Sequence, residues 1–175
     1  ADVDIVHSMV ILNVSNLWQT YLGVCTMNWK GPFKVSEVLD NCLNDKLPKI
    51  PEANSVYLVS RNRWRGKPTK ECEPLYVGTT RNKSKPRFRT RVGDLIADMF
   101  GFYIGKETGH HSGGKSLNER CKKEKLNPKN LHIGWLEECE CPSCTEIELF
   151  ESLRPLENKK KPPRCRKHRA RTCVK

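Results

Sequence analysis

The spacing of apolar positions along the chain predicts short strands separated by helices and loops. Residues 36–43 have helical spacing, with Ser36 as a candidate N-cap. β-branched and aromatic residues predict strands at 55–59 and 75–78, which would form a hairpin with a long basic loop. A third strand is predicted at 131–136, where apolar and polar side chains alternate.

The longest helical pattern is an apolar stripe with members at i, i+4, i+7, i+8 and i+11. These members are Phe88, Val92, Leu95, Ile96 and Met99. A glycine-rich loop at 108–114 leads to a short polar helix at 116–125, and a last helix at 146–153 stops before Pro155. Together the elements predict an α+β fold, an α/β sandwich in which helices flank a small central antiparallel or mixed sheet of about three strands.

Breaks in the pattern divide the chain into three parts. Residues 1–52 are predicted to be an N-terminal arm or packing segment, because prolines near its end interrupt the chain before a new unit begins. Residues 53–158 form the predicted core. Residues 159–175 form a basic extension that contains cysteine and histidine and is low in apolar residues.

Positive charge is concentrated in two blocks of this 175-residue chain, whose formal net charge is +12. Residues 61–91 carry 11 basic and 2 acidic side chains, and residues 154–175 carry 10 and 1. The rest of the chain is therefore mildly acidic, which is typical of a footprint for a polyanion such as DNA. A solvated basic face with a disordered tail is the alternative. A membrane is the weaker partner, because no long amphipathic basic helix accompanies the charge.

The cysteines indicate a reduced, intracellular (cytoplasmic) protein with a metal site. Cys139, Cys141 and Cys144 are crowded as metal ligands are, whereas secreted disulfide frameworks space their cysteines differently. The longest N-terminal apolar run is also far too short for a signal peptide or a membrane span. With Cys165 the three cysteines predict a structural zinc site, for which His168 and Cys173 are further candidate ligands. Unligated thiols are the alternative.

Four sequence elements occur in an order that points to one family. They are Ser55-Val56-Tyr57, Tyr76-Val77-Gly78, an acid-led apolar helix from Glu146, and a Pro-x-x-Asn sequence that ends at Asn158. This set, which spans 55–158, resembles the GIY-YIG nucleases, with serine in place of the first glycine. The resemblance implies hydrolysis of phosphodiester bonds in double-stranded DNA with Mg²⁺ or Mn²⁺ and without a small-molecule cofactor.

The alternation of side chains in strands is consistent with a shared tyrosine site. It places Tyr57 and Tyr76 on one face, with Gly78 leaving room for a backbone phosphate, and Leu75 and Val77 on the other face. Two ordinary strand tyrosines are the alternative.

Glu146 continues the apolar stripe of the last helix. A carboxylate on the buried edge of a helix is costly unless it is compensated, and a divalent cation would compensate it. Thr145 and Glu148, by contrast, are predicted to form a capping box at the start of this helix. The resemblance independently selects Glu146 as the metal ligand.

The resemblance also implies an arginine about ten residues after the second motif tyrosine. An insertion around 84–87 would restore the family spacing and selects Arg91, but Arg89 remains open because each flanks the apolar stripe on one side. In the glycine-rich loop, His110 or His111 could hydrogen-bond a phosphate or shuttle a proton, and a flexible polar loop is the alternative.

In the implied mechanism Glu146 holds the metal, Tyr57 and Tyr76 activate or position the water, and Arg91 neutralises charge on the phosphate. The short chain favours a type II restriction-like enzyme that cuts both strands as a homodimer. A repair or homing nuclease and a non-catalytic, zinc-stabilised nucleic-acid-binding protein are the alternatives. Expected DNA contacts are Arg63, Arg65, Lys85, Arg87, Arg89, Asn158, Lys160 and Arg166.

Overall fold

A computed structural model of the chain describes residues 28–44, 50, 55–79, 88–102, 111–137, 139, 141–163 and 165. The strands in these ranges are β1 (Trp29–Lys34), β2 (Val56–Ser60), β3 (Pro74–Thr79) and β4 (His132–Leu136). The helices are α1 (Val35–Asn44), α2 (Phe88–Met99), α3 (Ser112–Glu124) and α4 (Pro142–Leu153). None of the helices in the described ranges is long and apolar enough to span a membrane.

The strands form one antiparallel sheet in the order β1-β4-β2-β3, which confirms the α+β class. The described sheet has four strands instead of the predicted three, because β1 pairs with β4. The predicted boundary at residue 52 therefore does not separate an arm from the core. This strand could not be recognised from the sequence pattern, because Gly31 and Pro32 interrupt it. Its register with β4 shifts between Lys30 and Phe33, at the same two residues.

Helix α1 follows β1 directly and confirms the helix predicted at 36–43. Its start is one residue earlier than predicted, so Ser36 lies inside the first turn. The cap comes from Glu37, whose carboxylate accepts a hydrogen bond of 2.7 Å from the backbone N–H of Lys34. This is one half of a capping box. Val35 and Val38 are buried on the side of the helix that faces the sheet.

The two faces of the sheet are covered by different elements. The three-helix face packs against α1, α2 and α3, and the apolar stripe predicted for α2 is buried there at Val92, Leu95, Ile96 and Met99. The α4 face packs against α4 and Trp64, a residue of the β2–β3 loop. Leu75 packs on the three-helix face with Tyr76, not opposite it as predicted, because the register of β2 and β3 shifts between Val59 and Ser60.

Helix α4 begins four residues earlier than the sequence pattern predicted. Cys141 is its N-cap, Pro142 occupies the first helical position, and Pro155 follows a left-handed C-cap residue. The predicted capping box is therefore wrong. The hydroxyl of Thr145 donates instead to the carbonyl oxygen of Cys141 at 3.2 Å, and Glu148 forms an ion pair of 3.6 Å with Lys67.

Candidate functional site

The two motif tyrosines lie on neighbouring strands of the three-helix face. Tyr57 on β2 is paired with Gly78, and Tyr76 on β3 is paired with Val59. Their ring centroids are 6.1 Å apart with an interplanar angle of 31°. Position 78 has to be glycine to accommodate the ring of Tyr57, because a Cβ on residue 78 would lie 2.5 Å from the phenol oxygen of Tyr57. The glycine therefore makes room for a tyrosine, where the sequence analysis expected room for a phosphate.

His111 joins the tyrosines from the start of α3. It is the N-cap residue, and its Nδ1 accepts a hydrogen bond of 3.3 Å from the backbone N–H of Gly114. Its Nε2 lies 2.9 Å from the phenol oxygen of Tyr57. Since Nδ1 is an acceptor, the neutral ring carries its proton on Nε2 and donates it to Tyr57. Burial, together with the charge of Arg91, lowers the pKa of His111 to about 3, so the ring is neutral at neutral pH.

A buried carboxylate holds His111 in this position. The backbone N–H of His111 donates to the carboxylate of Asp98 on α2, and Asp98 is 1% exposed. Asp98 was not among the predicted site residues, although it lies between Leu95 and Met99 on the apolar stripe of α2. A carboxylate on an apolar stripe is the same signal that selected Glu146. Asp98 is therefore a positioning residue for the histidine.

Two glycines allow α3 to begin against this cluster. The helix starts at Ser112, so Gly113 and Gly114 lie in its first turn and not in a loop as predicted. A Cβ on Gly113 would overlap the ring of Tyr76, and one on Gly114 would lie 2.6 Å from the carbonyl oxygen of Leu95. These glycines serve close packing of a helix. His110 and the rest of the predicted glycine-rich loop lie outside the described residues.

Arg91 and Glu146 bring opposite charges to Tyr57. Burial raises the pKa of Tyr57 well above its usual value, and the nearby Tyr76 raises it further. The positive charge of Arg91 opposes this shift, and the negative charge of Glu146 adds to it. Arg91 also lowers the pKa of His111. These electrostatic contributions favour Arg91 over Arg89, and the choice between the two arginines stays a prediction.

Glu146 lies on α4, the helix on the opposite face of the sheet, and acts on Tyr57 through its charge. It is 6% exposed and lies in line with Leu149 and Leu153, as its place on the apolar stripe predicted. It belongs to no group of three or more potential metal ligands in the described ranges. A cation here would have one protein carboxylate and would take its other ligands from water and substrate, as Mg²⁺ commonly does.

A second cluster consists of the thiols of Cys141, Cys144 and Cys165. Their sulfur atoms all lie within 4.8 Å of one another and could hold a metal ion. Cys139, which the sequence analysis placed in the same site, is not part of this group. Its thiol is buried, 4.0 Å from the carbonyl oxygen of Leu136. His168 and Cys173 lie outside the described residues.

The segment after α4 is held to β3 through Asn158. Its side-chain amide donates to the carbonyl oxygen of Val77 and accepts from the N–H of the same residue, each at 2.8 Å. Beside it, the N–H of Glu157 donates to the carbonyl of Leu75 at 2.7 Å, and the carboxylate of Glu157 accepts from Arg120 at 2.6 Å. These contacts give Asn158 a structural role, and its predicted contact with DNA stays a prediction.

The other predicted DNA contacts are spread over the molecule. Arg63 and Arg65 are exposed on either side of the buried Trp64, which packs on the α4 face and not on the face of the tyrosines. Arg89 and Lys160 are exposed as well. Lys85, Arg87 and Arg166 lie outside the described residues.

No protein-family model, curated protein or solved structure matches this chain. Its function therefore has to be argued from the chemistry of the site and not from relatives.

Proposed function

We propose that the protein is a divalent-metal-dependent endonuclease that hydrolyses phosphodiester bonds in double-stranded DNA. The observation that carries the proposal is a contact cluster of two tyrosines and a histidine, whose central tyrosine feels the charges of an arginine and a buried glutamate. These residues are Tyr57, Tyr76, Arg91, His111 and Glu146. Four of the five also occupy the motif positions that resemble the GIY-YIG nucleases, and the fifth, His111, is one of the two histidines that the sequence offered as candidates.

The metal would be Mg²⁺ or Mn²⁺ and would be held by Glu146. A single buried carboxylate beside a phenol and an arginine fits a hard cation that takes its remaining ligands from water and phosphate. When bound, such an ion supplies Lewis-acid polarisation of the phosphate and stabilises the leaving oxygen.

The side chains around the metal position have separable tasks. Arg91 offers a planar guanidinium that can pair with two phosphate oxygens. The Nε2–H of His111 donates to the oxygen of Tyr57, and a hydrogen bond with Tyr76 raises the pKa of Tyr57. In the proposed reaction, Tyr57 and Tyr76 would position the attacking water.

A second candidate function is a non-catalytic, zinc-stabilised nucleic-acid-binding protein. It is favoured by the burial of the two phenols, since Tyr57 is 0% exposed and Tyr76 is 8% exposed. Such a protein would use the exposed arginines of the β2–β3 loop and the basic C-terminal extension to bind phosphates without cutting them. It would bind DNA equally well with and without a divalent cation.

Cleavage of a mixed plasmid and linear duplex substrate, with Mg²⁺ or Mn²⁺ and with EDTA, tests the proposal. The wild-type chain should cut only with the cation, and discrete fragments would support the restriction-like form of the proposal. Glu146→Gln should cut at least about 100-fold more slowly while it still binds DNA. Glu148→Gln is the matched control on the exposed side of the same helix and should cut normally. Metal-independent binding without cleavage by the wild-type chain would overturn the proposal in favour of the second candidate.

A further inference from the structure

The thiol cluster at the start of α4 lies outside the proposed active site. Cys141 and Cys144 come from the first turn of the helix, and Cys165 returns to them after α4 and the segment that contains Asn158. We infer that these three thiolates bind one structural zinc ion. The sequence alone makes His168, which lies outside the described residues, the candidate fourth ligand. The ion would fasten the chain that follows α4 to the start of that helix.

The distances between the sulfur atoms fit this ion. The sulfur of Cys141 lies 3.2 Å from that of Cys144 and 3.4 Å from that of Cys165. Zinc–sulfur bonds of about 2.3 Å in a tetrahedron place neighbouring sulfur atoms about 3.8 Å apart. Shifts of roughly half an ångström would therefore admit the ion. All three residues are partly exposed, so a metal and its fourth ligand can reach them.

Two of the three cysteines lie at the start of α4. Cys141 is the N-cap of this twelve-residue helix, and Cys144 lies in its first turn. The carbonyl oxygen of Cys141 accepts from the N–H groups of Cys144 and Thr145, which holds the first turn in place. Three thiolates select zinc over Mg²⁺ because soft sulfur ligands suit zinc and hard oxygen ligands suit magnesium.

The spacing in the sequence selects the fourth ligand. His168 follows Cys165 by three residues, which repeats the spacing from Cys141 to Cys144. Paired ligands at this spacing are typical of structural zinc sites. Cys139 is the rival on the near side of the helix, but its thiol is buried beside the carbonyl of Leu136.

The ion would act on the position of α4 as a whole. Residues 141–165 form a loop that contains all of α4, and Asn158 already fixes the middle of its returning segment to Val77 of β3. A zinc ion would close the ends of this loop at Cys141, five residues before Glu146. The zinc site does not depend on the proposed nuclease function, whereas its effect on Glu146 does.

Metal analysis of the purified full chain tests the inference. We expect about one zinc per chain after passage over a chelating resin, and loss of that zinc in Cys141→Ser, Cys144→Ser, Cys165→Ser and His168→Gln. Cys139→Ser and Cys173→Ser are the matched controls and should retain it. Retention by His168→Gln with loss in either control would overturn the assignment of the fourth ligand.

Cobalt(II) added to the metal-free wild-type chain gives a test that does not depend on whether the variants fold. A near-ultraviolet thiolate charge-transfer band and the visible bands of a tetrahedral ion are expected, and zinc should abolish both. Absence of zinc from the protein together with absence of these bands would overturn the inference. A chain that holds zinc but never cuts DNA would overturn only the nuclease proposal. A chain that has been stripped of its zinc and still cuts normally would overturn only the link to Glu146.

Discussion

Helix α4 carries two clusters of different chemistry within its first two turns. At its start, Cys141 and Cys144 meet Cys165 in a partly exposed group of soft ligands that all come from one stretch of chain. One turn later, Glu146 is 6% exposed, and its negative charge raises the pKa of Tyr57, which is 0% exposed. The thiol cluster is assembled by a local return of the chain, whereas the tyrosine cluster needs β2, β3, α2, α3 and α4 together.

This difference teaches how two metals could be used by one helix without competing. Thiolates hold zinc tightly, and a lone carboxylate with water and phosphate suits a hard, exchangeable cation. The thiol cluster would then determine where α4 begins, and the tyrosine cluster would carry out the chemistry. If this separation is correct, variants in one cluster should leave the metal of the other unchanged.

The largest expected effect concerns Arg91, which serves only the tyrosine cluster. Arg91→Ala should lower the single-turnover cleavage rate by about 100-fold, or about 2.7 kcal/mol, because a charge that faces the phosphate is lost. Arg89→Ala, which removes an exposed charge two residues earlier on the same helix, should change the rate far less. Zinc content should be normal in both. The reverse ranking would show that Arg89 is the arginine of the site, and zinc loss in Arg91→Ala would break the separation.

The next effect is the response of the tyrosine cluster to acid. His111 has a pKa of about 3 in the folded protein and a usual value of 6.5, so the unfolded chain binds the extra proton between these values. Its contribution to the free energy of unfolding is complete above about pH 6.5 and is lost as the pH falls. At about pH 5 the loss should be about 2 kcal/mol. Urea unfolding at about pH 6.5 and at about pH 5 measures this change in the free energy of unfolding.

His111→Asn is the matched variant for this measurement, because asparagine is also a good N-cap and does not titrate. Zinc sites lose their metal in acid too, so both proteins are compared at each pH. The variant should show a pH dependence smaller by about the same 2 kcal/mol. Equal pH dependence in the two proteins would mean that His111 is not kept neutral by the fold.

The smallest effect is expected on the surface of α4 that belongs to neither cluster. Glu148 pairs with Lys67 at 3.6 Å, and the two side chains are 42% and 60% exposed. Such exposed pairs contribute about 0 to 1 kcal/mol. Glu148→Gln should therefore change the free energy of unfolding by less than about 1 kcal/mol, as measured by urea unfolding. A decrease in the free energy of unfolding as large as the roughly 2 kcal/mol expected for His111 would show that the Glu148–Lys67 pair also positions the helix.

Some features could be predicted from local pattern because they depend on neighbours in sequence. The stripe of α2, the strands that carry Tyr57 and Tyr76, and the buried place of Glu146 all follow from periodicity. Other features depend on contacts that periodicity does not describe. β1 is a strand because β4 offers it an edge, although glycine and proline interrupt its pattern.

The sequence by itself determined which residues could do chemistry at this site: two strand tyrosines, a glutamate on an apolar stripe and cysteines at ligand spacing. Only the tertiary structure brought His111 to Tyr57 and left Cys139 out of the thiol group, and the choice between Arg91 and Arg89 stays a prediction. The physical reason is that helix and strand periods specify which way a side chain points. Which partner it meets depends on how closely elements pack, and here close packing relies on glycines such as Gly113 and Gly114.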